Sequence, residues 1–360
     1  MSVVIAFPSA FANKQALARA IKRAARERVS VHIEGSCIVC QSSRPVELAS
    51  QLTTLFGIEK VAIAKMASTN FSDLSNAIVE VGSKIIMPGH SFYVKVIIQQ
   101  AAKYDYVNRD VEFAASGMLT TRLSSINARP AKSEQEASHL ILTIVSKESA
   151  YVCIQVFSAP GGLVAGSQGR VLSSIHSSLS FLSCLMAAKA GFECTIVLPY
   201  ADESELESNA KLAHTFATKT GTKKQTILIM PINVSAKGAD ALMPKEKMMS
   251  RILIRHEYSR IVFPLTTAVH PIWLIESIMQ ETLSAGKTPF APLVFMSSEL
   301  VTHAEDVGIE LDLTVARFTR DKLQKYSSRI DSEAKVAIRH TKRLELEVGP
   351  NYLHDIIDSI

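Results

Sequence analysis

The chain has 360 residues, 47% of them hydrophobic and 20% charged, with 39 Lys and Arg against 34 Asp and Glu for a net charge of +5. That length exceeds one ordinary core and points to two or three domains, while the hydrophobic share excludes a disordered chain. No apolar run reaches the ~18–20 residues of a bilayer-spanning helix and no secretory signal pattern opens the chain, so a cytoplasmic protein without a membrane partner is expected.

Val3-Val4-Ile5-Ala6 reads as a short β run, and from Gln15 apolar residues recur at Ala16, Leu17, Ala20, Ile21 and Ala24 with helical spacing. The opposite side of that helix carries Lys14, Arg19, Lys22, Arg23 and Arg26. Such a face is a solvated surface by default and a polyanion contact where a partner exists. Residues 29–33 alternate like a half-buried strand, residues 46–55 have helical spacing, and residues 61–64 read as a further strand. The opening segment is therefore a split α/β unit. Cys37 and Cys40 form a CxxC, yet tetrahedral zinc takes four ligands and no second CxxC or close Cys/His pair accompanies it. No metal is expected, and two small residues at a strand-to-loop edge are preferred over a redox dithiol. The five cysteines form no disulfide framework by count or spacing.

A second α/β module follows, with a helix over residues 71–81, a turn at Pro88-Gly89, a strand over residues 92–98 and a helix over residues 107–119. Strands over residues 139–145 and 150–156 are joined as a hairpin by Ser146-Lys147-Glu148-Ser149, before a break at Pro160-Gly161-Gly162. From Gly169, strands over residues 171–175, 195–198, 226–229, 261–263 and 292–295 alternate with helices, the first of these over residues 179–190. That alternation predicts a Rossmann-like domain with a mostly parallel sheet covered on both faces, so the fold class is α/β. Past Gly308 the chain is richer in charge, with Arg317, Arg320, Lys322 and Lys325 among the first basic residues, and Leu344-Glu345-Leu346-Glu347-Val348 alternates. This C-terminal extension reads as a helix followed by an edge strand packed on the third domain.

Several segments, in order, carry a resemblance to a known family. Leu55-Phe56-Gly57-Ile58 is similar to an FGI turn, and Phe92-Tyr93-Val94-Lys95-Val96, the helix through Ser116-Gly117, and Ala150-Tyr151-Val152 follow at matching places. They lead into Gly161-Gly162-Leu163-Val164-Ala165-Gly166-Ser167-Gln168-Gly169-Arg170-Val171-Leu172, the most specific match, which departs from a G-G-L-P-V-G linker by its missing proline. Pro292-Leu293-Val294-Phe295-Met296 is a weaker match further on. These segments resemble the tRNA 4-thiouridine synthetase family, whose members join a ferredoxin-like domain, a THUMP domain and a PP-loop ATP-pyrophosphatase domain. The resemblance covers residues 1–308 and implies a ferredoxin-like domain over 1–65, a THUMP domain over 66–166, a degenerate PP-loop domain over 167–310 and an extension over 311–360.

The family's loop, S-G-G-x-D-S, lets backbone N–H groups close on the ATP phosphates at a helix N-terminus, while hydroxyls and the Asp organise phosphate and metal. Here the same place reads His176-Ser177-Ser178-Leu179-Ser180-Phe181. Both glycines are absent, Ser180 stands for the acid and Phe181 for the last hydroxyl, and a slip of one residue does not restore the motif. His176 reads as a surface or helix-capping residue in the turn. The family's sulfur transfer uses a cysteine past the loop; Cys184 falls within the loop helix, Cys194 opens the next strand, and none follows. Both read as buried and inert. The family's T-G-E-S-L-G-Q stretch falls near Pro264-Leu265-Thr266-Thr267-Ala268-Val269-His270, which keeps none of its acids or glycines.

The resemblance therefore implies a binder of tRNA or another structured RNA, with no catalytic residue and no ATP cofactor. Candidate RNA contacts are Lys14, Lys22, Arg23 and Arg26, extended by Lys95, Lys103, Arg109 and Arg122, then by Arg129, Lys132 and the linker's Arg170. Gly161, Gly162, Gly166 and Gly169 are expected to shape the linker. Two alternatives stand beside this reading. One is an ATP-dependent tRNA uridine-thiolating enzyme whose altered loop holds triphosphate on Ser177, Ser178 and Ser180, with His176 nearby. The other is a scaffold pairing with an active subunit or with a second copy of the chain.

Overall fold

The computed structural model describes residues 2–25, 28–99, 103–233, 242–296, 299–306, 308–311 and 319–359. Arg26 and Arg317 of the sequence reading lie outside them. Two compact units divide the chain, Met1–Gly162 and Leu163–Ile360.

The first unit runs β1 (Ser2–Pro8), α1 (Lys14–Ala24), β2 (Ser30–Glu34), β3 (Cys37–Gln41), α2 (Pro45–Leu52), β4 (Ile58–Ala67), α3 (Phe71–Ile85), β5 (Ser91–Ile98), α4 (Asn108–Leu123), β6 (Arg129–Pro130), β7 (His139–Val145) and β8 (Ala150–Ser158). One eight-stranded sheet holds them in the order β2-β3-β1-β4-β8-β7-β5-β6. The Asn13 side chain accepts from Ala16 N and so starts α1, which buries Leu17 and Ile21 and ends on Lys22 and Arg23, where cations complement the helix dipole. Val3, Val4, Ile5 and Ala6 are all buried, so β1 is covered on both faces. Leu74, Ile78, Val111, Ala115 and Leu119 of α3 and α4 pack on Phe92, Val94, Val96, Ile141 and Val152. On the other face Val3, Ile5, Val39, Ala62, Ile144 and Tyr151 form a second buried cluster.

Strand β3 is a correction to the sequence reading, which placed Cys37 and Cys40 at a strand-to-loop edge and assigned no strand there. Cys37, Ile38, Val39 and Cys40 are each at most 1% exposed. A strand buried on both faces has no alternation to detect. The antiparallel β7–β8 pairing, with Val145 opposite Ala150, agrees with the expected hairpin.

The second unit runs β9 (Arg170–Ser174), α5 (Ser178–Lys189), β10 (Glu193–Tyr200), α6 (Glu203–Lys219), β11 (Lys224–Pro231), α7 (Leu242–Arg255), β12 (Arg260–Val262), α8 (Ile272–Ser284), β13 (Thr288–Phe290), α9 (Glu299–Asp306), α10 (Arg320–Lys325), α11 (Ser327–Arg339), β14 (Lys342–Glu347) and α12 (Tyr352–Ile357). Its sheet has the order β13-β12-β9-β10-β11-β14, parallel from β13 to β11 with β14 antiparallel on the β11 edge. Helix, edge strand and packing on this unit agree with the reading of the C-terminal segment, and the short α12 beyond it was not anticipated. Another correction concerns residues 292–295, read as a strand. The paired strand is β13, and residues 292–295 form a turn in which Val294 N bonds Ala291 O and Met296 N bonds Leu293 O. Leu293 is fully buried beside Leu179, Leu182 and Leu300, so the apolar run there serves turn burial and not a ladder. No helix among the described residues is long and apolar enough to cross a membrane.

Candidate nucleic-acid interface and the phosphate-loop position

In an open α/β sheet the ligand crevice lies beyond the carboxyl ends of the strands, where the strand order reverses. Strand β9 sits at that place, with β12 on one side and β10 on the other. The turn after it leads into α5 through Ser177, whose Oγ accepts from Ser180 N at 3.2 Å. Ser180 Oγ in turn accepts from His176 N at 2.8 Å and Ser177 N at 2.9 Å, and donates to Ser177 O at 2.8 Å. A hydroxyl has one proton and two lone pairs, so Ser180 is saturated. Three backbone N–H groups of this turn, those of His176, Ser177 and Ser180, are thus taken by side chains of the same turn and are not offered to an anion. Ser178, half-buried, begins α5.

His176 is not at the surface, and this corrects the sequence reading. Its side chain is buried, with Nδ1 3.1 Å from Ser174 Oγ and Nε2 2.9 Å from Oε1 of Glu246, itself buried on α7. Burial pushes the Glu246 carboxyl up, but His176, His270 and Lys245 together outweigh it and hold the carboxyl below its ordinary value. Lys245 is also paired with Glu205. No spacing in the sequence singles out Glu246, which lies 70 positions from His176. Around Pro264–His270, His270 Nδ1 accepts from Thr266 N at 3.2 Å, and its buried Nε2 has no hydrogen-bond partner among the described residues.

All five cysteines are free and buried. Desolvation pushes the Cys37 thiol up to about 11, and those of Cys40, Cys153 and Cys184 up to about 12. Cys194 is raised as well, by burial first and then by Cys184 and Glu193. A thiol raised that far carries negligible thiolate near neutral pH and is a poor nucleophile. No group of three or more His, Cys, Asp or Glu among the described residues could hold a metal ion.

The candidate cations divide by what they touch. Lys22 and Arg23 are exposed on the last turn of α1. Lys14, at its start, donates to Gly35 O at 2.6 Å, so it also braces the β2–β3 turn. Lys95 is paired with Glu134 at 2.5 Å and Arg170 with Glu193 at 3.3 Å. Lys103, Arg109, Arg122, Arg129 and Lys132 are exposed. Arg109 and Arg122 share α4 but, at ~100° per residue, point ~140° apart, so they do not form one stripe. Near Lys22 the structure adds Arg28 and His32, which border the same surface depression and which periodicity did not single out.

The linker glycines all have positive φ: Gly161 at 68°, Gly162 at 78°, Gly166 at 82° and Gly169 at 86°. That backbone region costs an L side chain ~1–2 kcal/mol, which accounts for glycine there. Gly161 O accepts from Gly57 N and Gly161 N donates to Ile58 O, both at 2.8 Å. The Phe56-Gly57-Ile58 turn and the start of the linker are thus one hydrogen-bonded piece.

No protein-family model matches the sequence, and no curated protein sequence matches it. The fold does have solved counterparts. A 4-thiouridine synthetase in complex with RNA and bound ATP superposes with a TM-score of 0.72 at 14% identity, covering 96% of this chain and all (100%) of that one. PH1313 from Pyrococcus horikoshii Ot3 gives a TM-score of 0.65 at 17% identity, covering 86% of this chain and 100% of that one. At these identities the likeness is one of fold, and it extends along nearly the whole chain.

Proposed function

We propose that this protein binds structured RNA, tRNA foremost, and does so without cleaving ATP. The observation that carries the second half is Ser180: with His176 N and Ser177 N donating to its Oγ, the turn after β9 presents its hydrogen bonds inward. No carboxylate stands in the loop itself, and the buried Glu246 is committed to His176. The first half is supported by the fold shared with a 4-thiouridine synthetase solved with RNA and by exposed Lys22 and Arg23 at the end of α1. In this reading residues 1–65 and 66–166 are the ferredoxin-like and THUMP parts of one RNA-holding unit. Residues 167–310 are a PP-loop scaffold without its loop chemistry, and residues 311–360 complete its sheet through β14.

The test is tRNA binding across a salt series, together with pyrophosphate release from ATP in the presence of tRNA. Wild-type protein is expected to bind with a log–log salt slope of several units. Lys22→Ala with Arg23→Ala is expected to reduce that slope by ~1–2, as each lost phosphate contact removes ~0.9. Release of pyrophosphate above background would overturn the catalytic half, and a salt-independent or absent tRNA interaction would overturn the binding half.

A further inference from the structure

Strand β14 ends the sheet of the second unit. Among the described residues it pairs with β11 alone, so the backbone N–H and C=O groups along its other side have no neighbouring strand there. The strand reads Lys342-Arg343-Leu344-Glu345-Leu346-Glu347, with the four charged residues exposed and the two leucines half-buried. Alternation puts Arg343, Glu345 and Glu347 on one face and Lys342, Leu344 and Leu346 on the other. The ends of the strand are engaged within the chain: Lys342 Nζ donates to Ser359 O, and Glu347 lies 3.7 Å from Lys224. In the middle, Arg343 Nη2 is 3.4 Å from Glu345 Oε1. That exposed contact leaves further guanidinium donors and a second carboxylate oxygen for other partners. Edge charges protect a sheet when they repel an incoming strand. Here they change sign along the strand, basic first and acidic after.

We propose that the β14 edge is a self-association surface, on which a second copy of this chain pairs antiparallel about a two-fold axis through Leu344. An axis perpendicular to the sheet sets each residue opposite its mirror position, and opposed residues then share a face. Centred on Leu344, Arg343 faces the partner's Glu345 and Glu345 faces the partner's Arg343, while Leu344 meets the partner's Leu344. Opposed unlike charges stabilise a cross-strand pair and opposed like charges destabilise it. Centring on Arg343 or on Glu345 sets that residue against its own kind, and centring on Leu346 opposes Glu345 to the partner's Glu347. Charge therefore selects one register. A strand of any sequence can use the backbone row, but the order of signs is matched by an antiparallel copy of the same segment. The inference stands apart from RNA binding and is tested without RNA.

The experiment is analytical ultracentrifugation of the full-length chain over about 1–200 µM, a range suited to a small interface. Wild type is compared with Arg343→Glu, with Glu345→Arg, with the variant carrying both changes, and with an equimolar mixture of the two single variants, after circular dichroism shows each folded. Wild type is expected to dimerise. Each single variant opposes like charges at both pairs and is expected to raise the dimer Kd at least ~10-fold. The mixture and the double variant oppose unlike charges again, so both are expected to return to within ~3-fold of wild type. A change that merely damaged the strand would not be rescued in the mixture. A wild type that stays monomeric throughout overturns the proposal and leaves the edge to solvent or to a foreign strand. Single variants that dimerise as wild type does place the interface elsewhere and overturn it as well, as does a mixture no tighter than its components.

Discussion

Replacing Ser180 by alanine tests the claim that the loop is closed by its own side chain. Ser180 is 1% exposed, and its hydroxyl holds the N–H groups of His176 and Ser177 as well as the carbonyl of Ser177. A buried donor left unmade costs ~1–3 kcal/mol. His176 is buried and Ser177 half-buried, so one full penalty and part of another apply. The expected loss is ~2–4 kcal/mol, or roughly 5–12 °C in Tm for a unit of this size. Trp273, the sole tryptophan, packs against the core of the second unit and reports its unfolding in urea. The variant should also gain a property. Two freed N–H groups at the start of the 12-residue α5 form an anion site. Pyrophosphate at ~10 times its Kd would then restore ~1.4 kcal/mol to the variant and nothing to the wild type. The reasoning fails if Ser180→Ala costs less than ~0.5 kcal/mol, or if pyrophosphate stabilises the wild type equally.

Glu246→Leu removes the partner of a buried imidazole and is expected to cost ~3–5 kcal/mol in the same urea assay. The pH dependence has a definite sign: the Glu246 carboxyl lies below its ordinary value in the fold, so its contribution is complete above the unfolded value of ~4.3 and is lost as pH falls through the folded one. Urea midpoints between about pH 3 and 6 should therefore fall more steeply for wild type than for Glu246→Gln; parallel curves would count against the pair. An aromatic disulfide reagent at neutral pH should leave all five thiols unreacted in the native protein and titrate all five in denaturant, whereas a fast native phase would reveal an accessible thiolate. Gly191→Ala places a Cβ 2.7 Å from Ser167 Oγ and 2.9 Å from Leu163 Cβ, at a φ of +94°. It should lose at least ~1–2 kcal/mol, measured by thermal melting.

The elements legible in the sequence were those with one buried face or, like β1, an unbroken apolar run. Leu17 and Ile21 on α1, the hydrophobic run of β5 and the hairpin of β7 with β8 each announce a period or a turn. Strand β3 escaped because it shows no alternation and its two cysteines drew the reading to a CxxC rather than to an apolar run. The run at residues 292–295 misled because a turn buried by α5 and α9 is as apolar as a strand. The absence of glycine from residues 176–181 was visible as a string of letters. What holds the turn was not, since it depends on Ser180 reaching back to His176 N, and on Glu246 arriving from a helix far along the chain. Arg28 and His32 were passed over for a similar reason: they join Lys22 through the packing of α1 beside β2, and no spacing in the sequence records that.

A nucleotide loop is held open by what it lacks. Glycines leave N–H groups pointing outward with no side chain to satisfy them, and the ligand supplies the missing acceptors. Serines at the same turn supply the acceptors from within, so the turn becomes stable without a ligand and has little to gain from one. The rest of the second unit fits either kind of turn, because α5 needs only a start and Ser177 provides it as a cap. Its apolar residues, Leu179, Phe181 and Leu182, still pack in the interior. The core thus constrains the helix but not the chemistry at its tip. On the first unit the pressure is different: exposed Lys22, Arg23 and Arg28 contribute nothing to a core, and in the proposed RNA-binding reading they are phosphate contacts.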